Sequence, residues 1–265
     1  MPPFLINLAA AFAMAFIVMT VLWAVTEWLR NSSLVDAAWS LCILMLALHF
    51  FAHARGFWPR TLLGGLLVSV WALRLSVFIF KRNHGKAEDP RYTALRQSWG
   101  DKQKIRMLQF FWAQGAAAAF FTLPFILASA NTAQRLHGTE WAGALVILLA
   151  VLGETSADLS LEKFKSNPAH RGKTCRAGLW NYSRHPNYFF EWLIWCGFAL
   201  FASAAPWGWA AFFCPALMLH FLLNVTGIPK TEAQSLKSRG EDYREYQRTT
   251  SKFVPWFKKR EEDHA

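Results

Sequence analysis

The sequence predicts an all-α, polytopic integral membrane protein with seven transmembrane helices. Three observations carry this. Apolar runs near twenty residues recur along the whole chain, and about 20 apolar residues are what one helix needs to cross hydrocarbon. Charged residues make up 17% of the sequence against 54% hydrophobic, too little charge for a soluble domain of this length. No segment alternates apolar and polar residues as a barrel strand must, which leaves helices to satisfy every backbone group in lipid.

The predicted spans are, in order, 4–25, 34–54, 61–80, 107–130, 139–159, 189–204 and 207–228, with ends good to a few residues. The first opens on MPPFLINLAA, which has no basic residue ahead of the apolar run, so it is read as a retained helix rather than a signal peptide. The sixth is short and begins beside a dense polar motif. An outer turn at Ala205–Pro206 is minimal, whereas the loops 81–106 and 160–188 are long. In the charged tail 229–265, leucine and tyrosine between Glu232 and Thr249 are spaced for a short amphipathic helix, with Gly240 as its break. Neither a repeat nor a Pro/Ser-rich linker divides the chain, so 1–265 reads as a single membrane-embedded domain.

The net charge is +11, and it is unevenly placed. With the N-terminus outside, the cytoplasmic side holds Arg30, eight Lys/Arg between spans three and four, six between spans five and six, and nine in the tail. The opposite side holds Arg55, Arg60 and Arg135, and Arg74 lies inside span three. The positive-inside rule therefore predicts an outside N-terminus and a cytoplasmic C-terminus. Topology and attraction to anionic lipid account for the basic excess, so no nucleic-acid partner is expected. Cys42, Cys196 and Cys214 fall in predicted spans, Cys175 in a loop, and no C-x-x-C pair occurs, which argues against disulfides or structural zinc. His49 and His53 lie four apart without a third ligand and read as interfacial, so no metal is expected.

Four constellations carry chemistry. The densest is GLWNYSRHPNYFFE at Gly178–Glu191, which sets Tyr182, Arg184, His185, Asn187 and Glu191 at the mouth of span six. Trp, Tyr and Arg suit an interfacial anchor, but His185, Asn187 and Glu191 together favour a site, because ionisable groups near hydrocarbon face a cavity or ligand. Pro186 suits the first turn of a helix, and Asn187 and Glu191, four apart, share one face able to bond an amide or a ribose. The second is SADLSLEKFK, where Asp158, Glu162 and Lys165 recur at helical spacing. The third is the loop 81–100, in which Lys81, Arg82, Arg91 and Arg96 offer phosphate ligands and Tyr92 and Trp99 can flank a ring. The fourth is Asp36 at the start of span two, with Arg74 in span three; in a dry cavity Asp36 would be raised in pKa and able to donate a proton. No G-x-G-x-x-G, Walker A or G-x-S-x-G motif occurs, so a bound nucleotide would be held by side chains and helix ends.

Four runs in order, EDPRY…WG, SADLSLEKFK, AGLWNYSRHPNYFFE and RGEDYREYQRTTSKFVPWF, resemble the membrane steroid 5α-reductase family over roughly residues 30–257. The likeness is greatest to its bacterial branch, known only as a domain of unknown function. A run like RHPNY also occurs in isoprenylcysteine carboxyl methyltransferases and sterol reductases, which makes an S-adenosylmethionine-dependent methyltransferase acting on a lipid the alternative. The family resemblance implies a seven-helix reductase in a membrane, the bacterial inner membrane here, with an NADPH part mainly in 74–106 and 155–257 opening on the cytoplasmic side. It implies hydride transfer from NADPH to the enone of a 3-oxo-4-ene steroid or related lipid, with no obligate protein partner. By position it makes Arg74, Arg82, Arg91, Tyr92, Asp158, Lys165, Tyr182, Arg184, His185, Asn187, Glu191, Asp242 and Tyr243 cofactor contacts. Asp36 falls near the family's acidic residue on span two and Glu232 where the steroid enzymes place a tail histidine, so both are expected in the catalytic role. Trp71 stands where the vertebrate steroid enzymes use a tyrosine to hold the ketone.

Overall fold

The computed structural model describes residues 3–258. Eleven α-helices occur among them: α1 (Pro3–Leu29), α2 (Leu34–Ala52), α3 (Trp58–Asn83), α4 (Pro90–Trp99), α5 (Gln103–Phe121), α6 (Leu123–Ser129), α7 (Gly138–Ser166), α8 (Pro186–Ala202), α9 (Phe213–His220), α10 (Ile228–Arg239) and α11 (Glu241–Thr249). Outside helices, the pairing seen among the described residues is one bridge between Ser183 and Ser251. Among the described residues the fold is all-α, as the hydropathy predicts.

Six stretches are long and apolar enough to cross a membrane: Leu5–Leu29, Leu34–Ala52, Trp58–Asn83, Pro90–Ser129, Gly138–Ser166 and Gly208–Arg239. This is the pattern of a multi-pass membrane protein. The expected sixth of seven spans corresponds to α8, whose 17 residues make it shorter than these six. At 1.5 Å per residue it reaches about 25 Å.

Local chemistry explains where helix ends depart from the hydropathy reading. Helix α7 continues past 159 to Ser166, with Lys163 and Lys165 in its last turn, where cations complement the helix dipole. Pro168 then stops it by holding Asn167 extended, at φ −87° and ψ 115°. The expected span 107–130 is two helices, because Pro124 supplies no N–H; the Thr122 hydroxyl at the break bonds Ala118 O at 2.8 Å. The last span runs from a 3₁₀ turn through α9, around Pro215, into a π turn at Phe221–Val225. Gly240, at φ +54°, separates α10 from α11 at the expected break.

The chain forms two compact units: one takes the residues up to His137 with Ala202–Ala210, the other Gly138–Phe201 with Ala211 onward. In the first, Trp39 of α2 meets Trp71 of α3 and Phe121 of α5 edge-on, at 6.5 and 5.6 Å between ring centres. The buried Arg60 of α3 donates to three carbonyls beyond α6, Asn131 O at 3.0 Å, Ala133 O at 2.9 Å and Arg135 O at 2.6 Å. Those bonds satisfy a loop that no helix ladder reaches.

In the second unit α7 and α8 run antiparallel at glycine distance. A Cβ on Gly143 would stand 2.6 Å from Phe201 N and 2.7 Å from Gly197 O, and one on Gly197 2.6 Å from Ile147. Higher up, Gly153 lies under the ring of Phe190, at 2.5 Å from the same imagined atom. Small residues permit this in lipid, where packing rather than water exclusion holds helices together. Gly143→Ala should therefore lower the melting temperature in detergent, at a packing cost of about 1–3 kcal/mol. Helix propensity alone would raise stability by about 1 kcal/mol, so a stabilised variant would show that the helices do not touch there.

Candidate functional site

The polar motif is built onto α7 from outside. Trp180 is buried, and its indole N–H donates to Ala157 O at 2.8 Å. Tyr246 of α11 donates to the carbonyl of Ser183 at 3.0 Å and also to that of Trp180. The tail then lies along the motif: Arg184 N donates to Ser251 O at 2.9 Å, Ser183 Oγ to Phe253 O at 2.7 Å, and Trp256 N to Tyr182 O at 2.9 Å. The exposed ring of Tyr182 meets Phe257 edge-on.

Pro186 then opens α8 and places Asn187 opposite α7. The Asn187 amide donates to Asp158 Oδ1 at 3.4 Å, a long bond, with Asp158 only 4% exposed. One turn deeper, Glu191 accepts from the Trp195 indole at 2.9 Å. Because α7 runs on to Ser166, Asp158 sits two turns inside the helix rather than at its end, and Lys165 holds the last turn. Glu154, one turn before Asp158 and also buried, was not among the expected residues. Its signal was the i−4 spacing from Asp158 within an apolar span. The Gly153–Phe190 contact sets Glu154 and Glu191 level on the two helices. Two facing helices thus carry Glu154, Asp158, Asn187 and Glu191, an acceptor-rich set with one amide. Carboxylates at such depth are expensive unless they serve partners.

Glu232 of α10 ties the motif to the tail. Its Oε1 lies 2.9 Å from Arg184 Nε and 3.3 Å from His185 Nε2, and its Oε2 accepts from Gln247 Nε2 at 3.0 Å. Arg184 Nη1 also donates to Gln247 O at 2.6 Å. His185 is buried and stacked on Tyr188, 5.5 Å between centres and 9° between planes. Burial lowers its pKa below the usual 6.5, while the hydrogen bond and charge of Glu232 pull upward and Arg184 and Lys252 push down again. The neutral ring then donates through Nε2, since an ionised Glu232 can only accept. Asp242 accepts from Thr174 N at 2.7 Å and pairs with Arg176 at 3.2 Å, fastening the segment 174–176 to α11. Tyr243 is buried beside Tyr246, and burial with the charge of Glu232 pushes its phenol up to about 12. Glu232, Asp242 and Tyr243 thus hold structure together, whatever else they do.

In the first unit, Asp36 is not in a dry cavity. It accepts from Tyr92 Oη at 2.6 Å and Arg91 Nη2 at 2.7 Å, with its side chain 20% exposed. The carboxylate is thus anchored by two donors of α4 rather than set in an apolar pocket. Arg91 also meets both oxygens of Asp89, each at 3.0 Å. Arg96 is shared between Glu27 at 2.6 Å and Glu88 at 3.3 Å. Arg74 lies over the Phe78 ring at 5.6 Å, and Arg82 is exposed at the end of α3, 3.4 Å from Asn83 Oδ1. Trp71 is fully buried.

A multi-pass helical membrane protein with a carboxylate-and-amide face on one helix pair is the class that fold and site define. A family model described as a protein of unknown function (DUF1295) matches residues 22–250, and the chain belongs to that family. It is also similar to an uncharacterized protein of Schizosaccharomyces pombe, 27% identical over 234 residues, a match that takes in 77% of this chain and 65% of that protein. The chain therefore spans just under two thirds of that relative's length. No solved structure matches it.

Two outcomes follow from the clasp. Glu232→Ala should leave the nearly buried Arg184 without its counter-charge and cost about 3–5 kcal/mol, seen as a lower melting temperature and faster proteolysis of the tail; an unchanged tail would remove Glu232 from this role. His185 binds its proton less readily folded than unfolded, so its contribution to stability is full above about pH 6.5 and is lost as pH falls through the lowered folded value. Melting temperatures measured from pH 7.5 downward should fall less steeply in His185→Gln than in the parent chain.

Proposed function

We propose that this protein is an NADPH-dependent reductase of the steroid 5α-reductase type, acting on the 4,5 double bond of a 3-oxo-4-ene steroid or a related enone lipid within the membrane. In this reading α8 is a seventh span, the N-terminus lies outside and the C-terminus in the cytoplasm. The membrane is a bacterial inner membrane, and the cofactor enters from the cytoplasmic side. The observation that carries the reading is the α7–α8 face, where Asp158, Asn187 and Glu191 come together at the inner end of two close-packed helices.

The donor set fits the cofactor. A carboxamide and ribose hydroxyls need acceptors and an amide, which is what Asp158, Asn187, Glu191 and the neighbouring Glu154 offer. NADPH, when bound, supplies the hydride. The chain's part is to hold and orient: α7 and α8 fix the polar face, and the Glu232 clasp keeps the motif and tail ordered beside it. Reduction of an enone also requires a donor where enolate charge develops. The resemblance assigns Asp36 to the catalytic role, and its carboxylate is held by Tyr92 and Arg91. Replacing Asp36 releases both, and Asp36→Ala should lower turnover more than NADPH affinity.

Purified protein with NADPH and testosterone or progesterone should yield a product two hydrogens heavier, detected by mass and dependent on NADPH. Asn187→Ala and Glu191→Ala should each weaken NADPH binding about tenfold, the loss of a hydrogen bond or two to a polar ligand, while leaving the protein folded. Absence of product, with heat stabilisation by S-adenosylmethionine and none by NADPH, would sink the reductase reading and favour a lipid methyltransferase.

A further inference from the structure

Beyond α11 the tail has two faces. Phe253 turns inward and is buried, its ring 5.6 Å from that of Phe189 and 5.8 Å from that of Trp192, on the first two turns of α8. Val254, Trp256 and Phe257 turn outward and are 50%, 68% and 75% exposed. The exposed ring of Tyr182 extends this surface, meeting Phe257 edge-on at 6.3 Å, while Trp256 and Phe257 lie 6.2 Å apart. The patch is held in place by the bonds of Trp256 N to Tyr182 O and of Ser183 Oγ to Phe253 O, and by the bridge of Ser183 to Ser251. Four large apolar side chains fixed outward together mark a surface that something covers.

Position and charge say what covers it. Trp180, two residues before Tyr182, donates to Ala157 O of α7, a helix long and apolar enough to cross a membrane. Ala157 lies on the last apolar turns of that helix, before Glu162, Lys163 and Lys165. The tail is therefore fastened where α7 passes from apolar to charged residues, the level of the lipid headgroups. Trp and Tyr favour that level because each joins an apolar ring to a polar N–H or O–H. Exposed Lys252 and Lys258 bracket the patch, and Lys259 and Arg260 follow in the sequence before Glu261, Glu262 and Asp263. Lysines beside apolar rings match an anionic headgroup layer. A second copy docked here symmetrically would instead set the same lysines against one another.

We propose that Tyr182, Val254, Trp256 and Phe257, bracketed by Lys252 and Lys258, form an interfacial anchor that beds the C-terminal tail in the anionic headgroup layer of the membrane the protein spans. The anchor stands independently of the reductase reading. The same strand that meets lipid on its outer side holds Arg184 and Ser183 on its inner side, so lipid contact steadies the segment that leads into α8.

The test places a nitroxide label at Phe257→Cys in nanodiscs holding one copy of the chain, made of phosphatidylcholine with or without phosphatidylglycerol. Electron paramagnetic resonance then reads collisions with a water-soluble nickel chelate and with oxygen, which concentrates in lipid. In discs with phosphatidylglycerol the nickel collision rate should be severalfold lower than at Ser238→Cys, an exposed position on α10, and the oxygen rate higher. Val254→Cys carries the same test if Phe257→Cys fails to fold. Lys252→Glu with Lys258→Glu should make proteolysis of the tail severalfold faster in those discs and change it little in phosphatidylcholine alone. Equal nickel access at the two labelled sites would overturn the anchor. Shielding that appears only in discs holding two copies would overturn it in favour of a contact between chains. Shielding and proteolysis indifferent to phosphatidylglycerol would overturn the anionic assignment.

Discussion

The close approach of α7 and α8 is the constraint on which the polar chemistry of this protein depends. Gly143, Gly153 and Gly197 let the two backbones meet with side chains of the partner helix pressed into the gaps. Because the helices are antiparallel and in register there, residues four apart on each fall level with one another. Glu154 and Asp158 on one side then face Glu191 and Asn187 on the other. A larger residue at Gly143 or Gly197 would push the two backbones apart and shift the carboxylates they carry. In lipid no solvent would fill such a gap favourably.

A second layer of organisation lies outside the helices. The segment 174–185 and the tail beyond Gly240 hold each other through backbone bonds, Tyr246, and two charge clusters centred on Glu232 and Asp242. The nearly buried pair of Arg184 and Glu232 adds little net stability, but breaking it strands a charge in a poor medium, whereas the Asp242 cluster is partly exposed. Their value is positional. Arg184 and His185 immediately precede the helix that carries Asn187 and Glu191, so fixing them fixes where α8 begins. The same logic applies in the first unit, where Asp36 draws Arg91 and Tyr92 of α4 to the first turn of α2.

Much of this was legible in the residues. Apolar runs marked the membrane helices because crossing hydrocarbon demands length and low charge, and Gly240 marked a helix break because it can adopt a positive φ. The i, i+4 spacing of Asn187 and Glu191 put them on one face. Other features were not legible. Hydropathy overran at Pro124 and stopped short at Lys163 and Lys165, since a helix leaving the lipid stays helical without staying apolar. Glu154 was overlooked because a single acid inside an apolar run looks like a local exception until its neighbour Asp158 is seen to be buried with it.

By itself the sequence determined the class of protein, the six stretches long and apolar enough to cross a membrane and the stretch where polar groups crowd a helix mouth. These are properties of composition and short-range periodicity, which act within a few residues. Only the tertiary structure decided which charges were already matched. Asp36 meets Arg91 across 55 positions of chain and Glu232 meets His185 across 47. Such pairs are set by how helices pack, and spacing along the chain carries no trace of them. That is why arginines that look alike in the sequence differ once folded: Arg91, Arg96, Arg176 and Arg184 hold carboxylates, while Arg82 stays exposed beside Asn83.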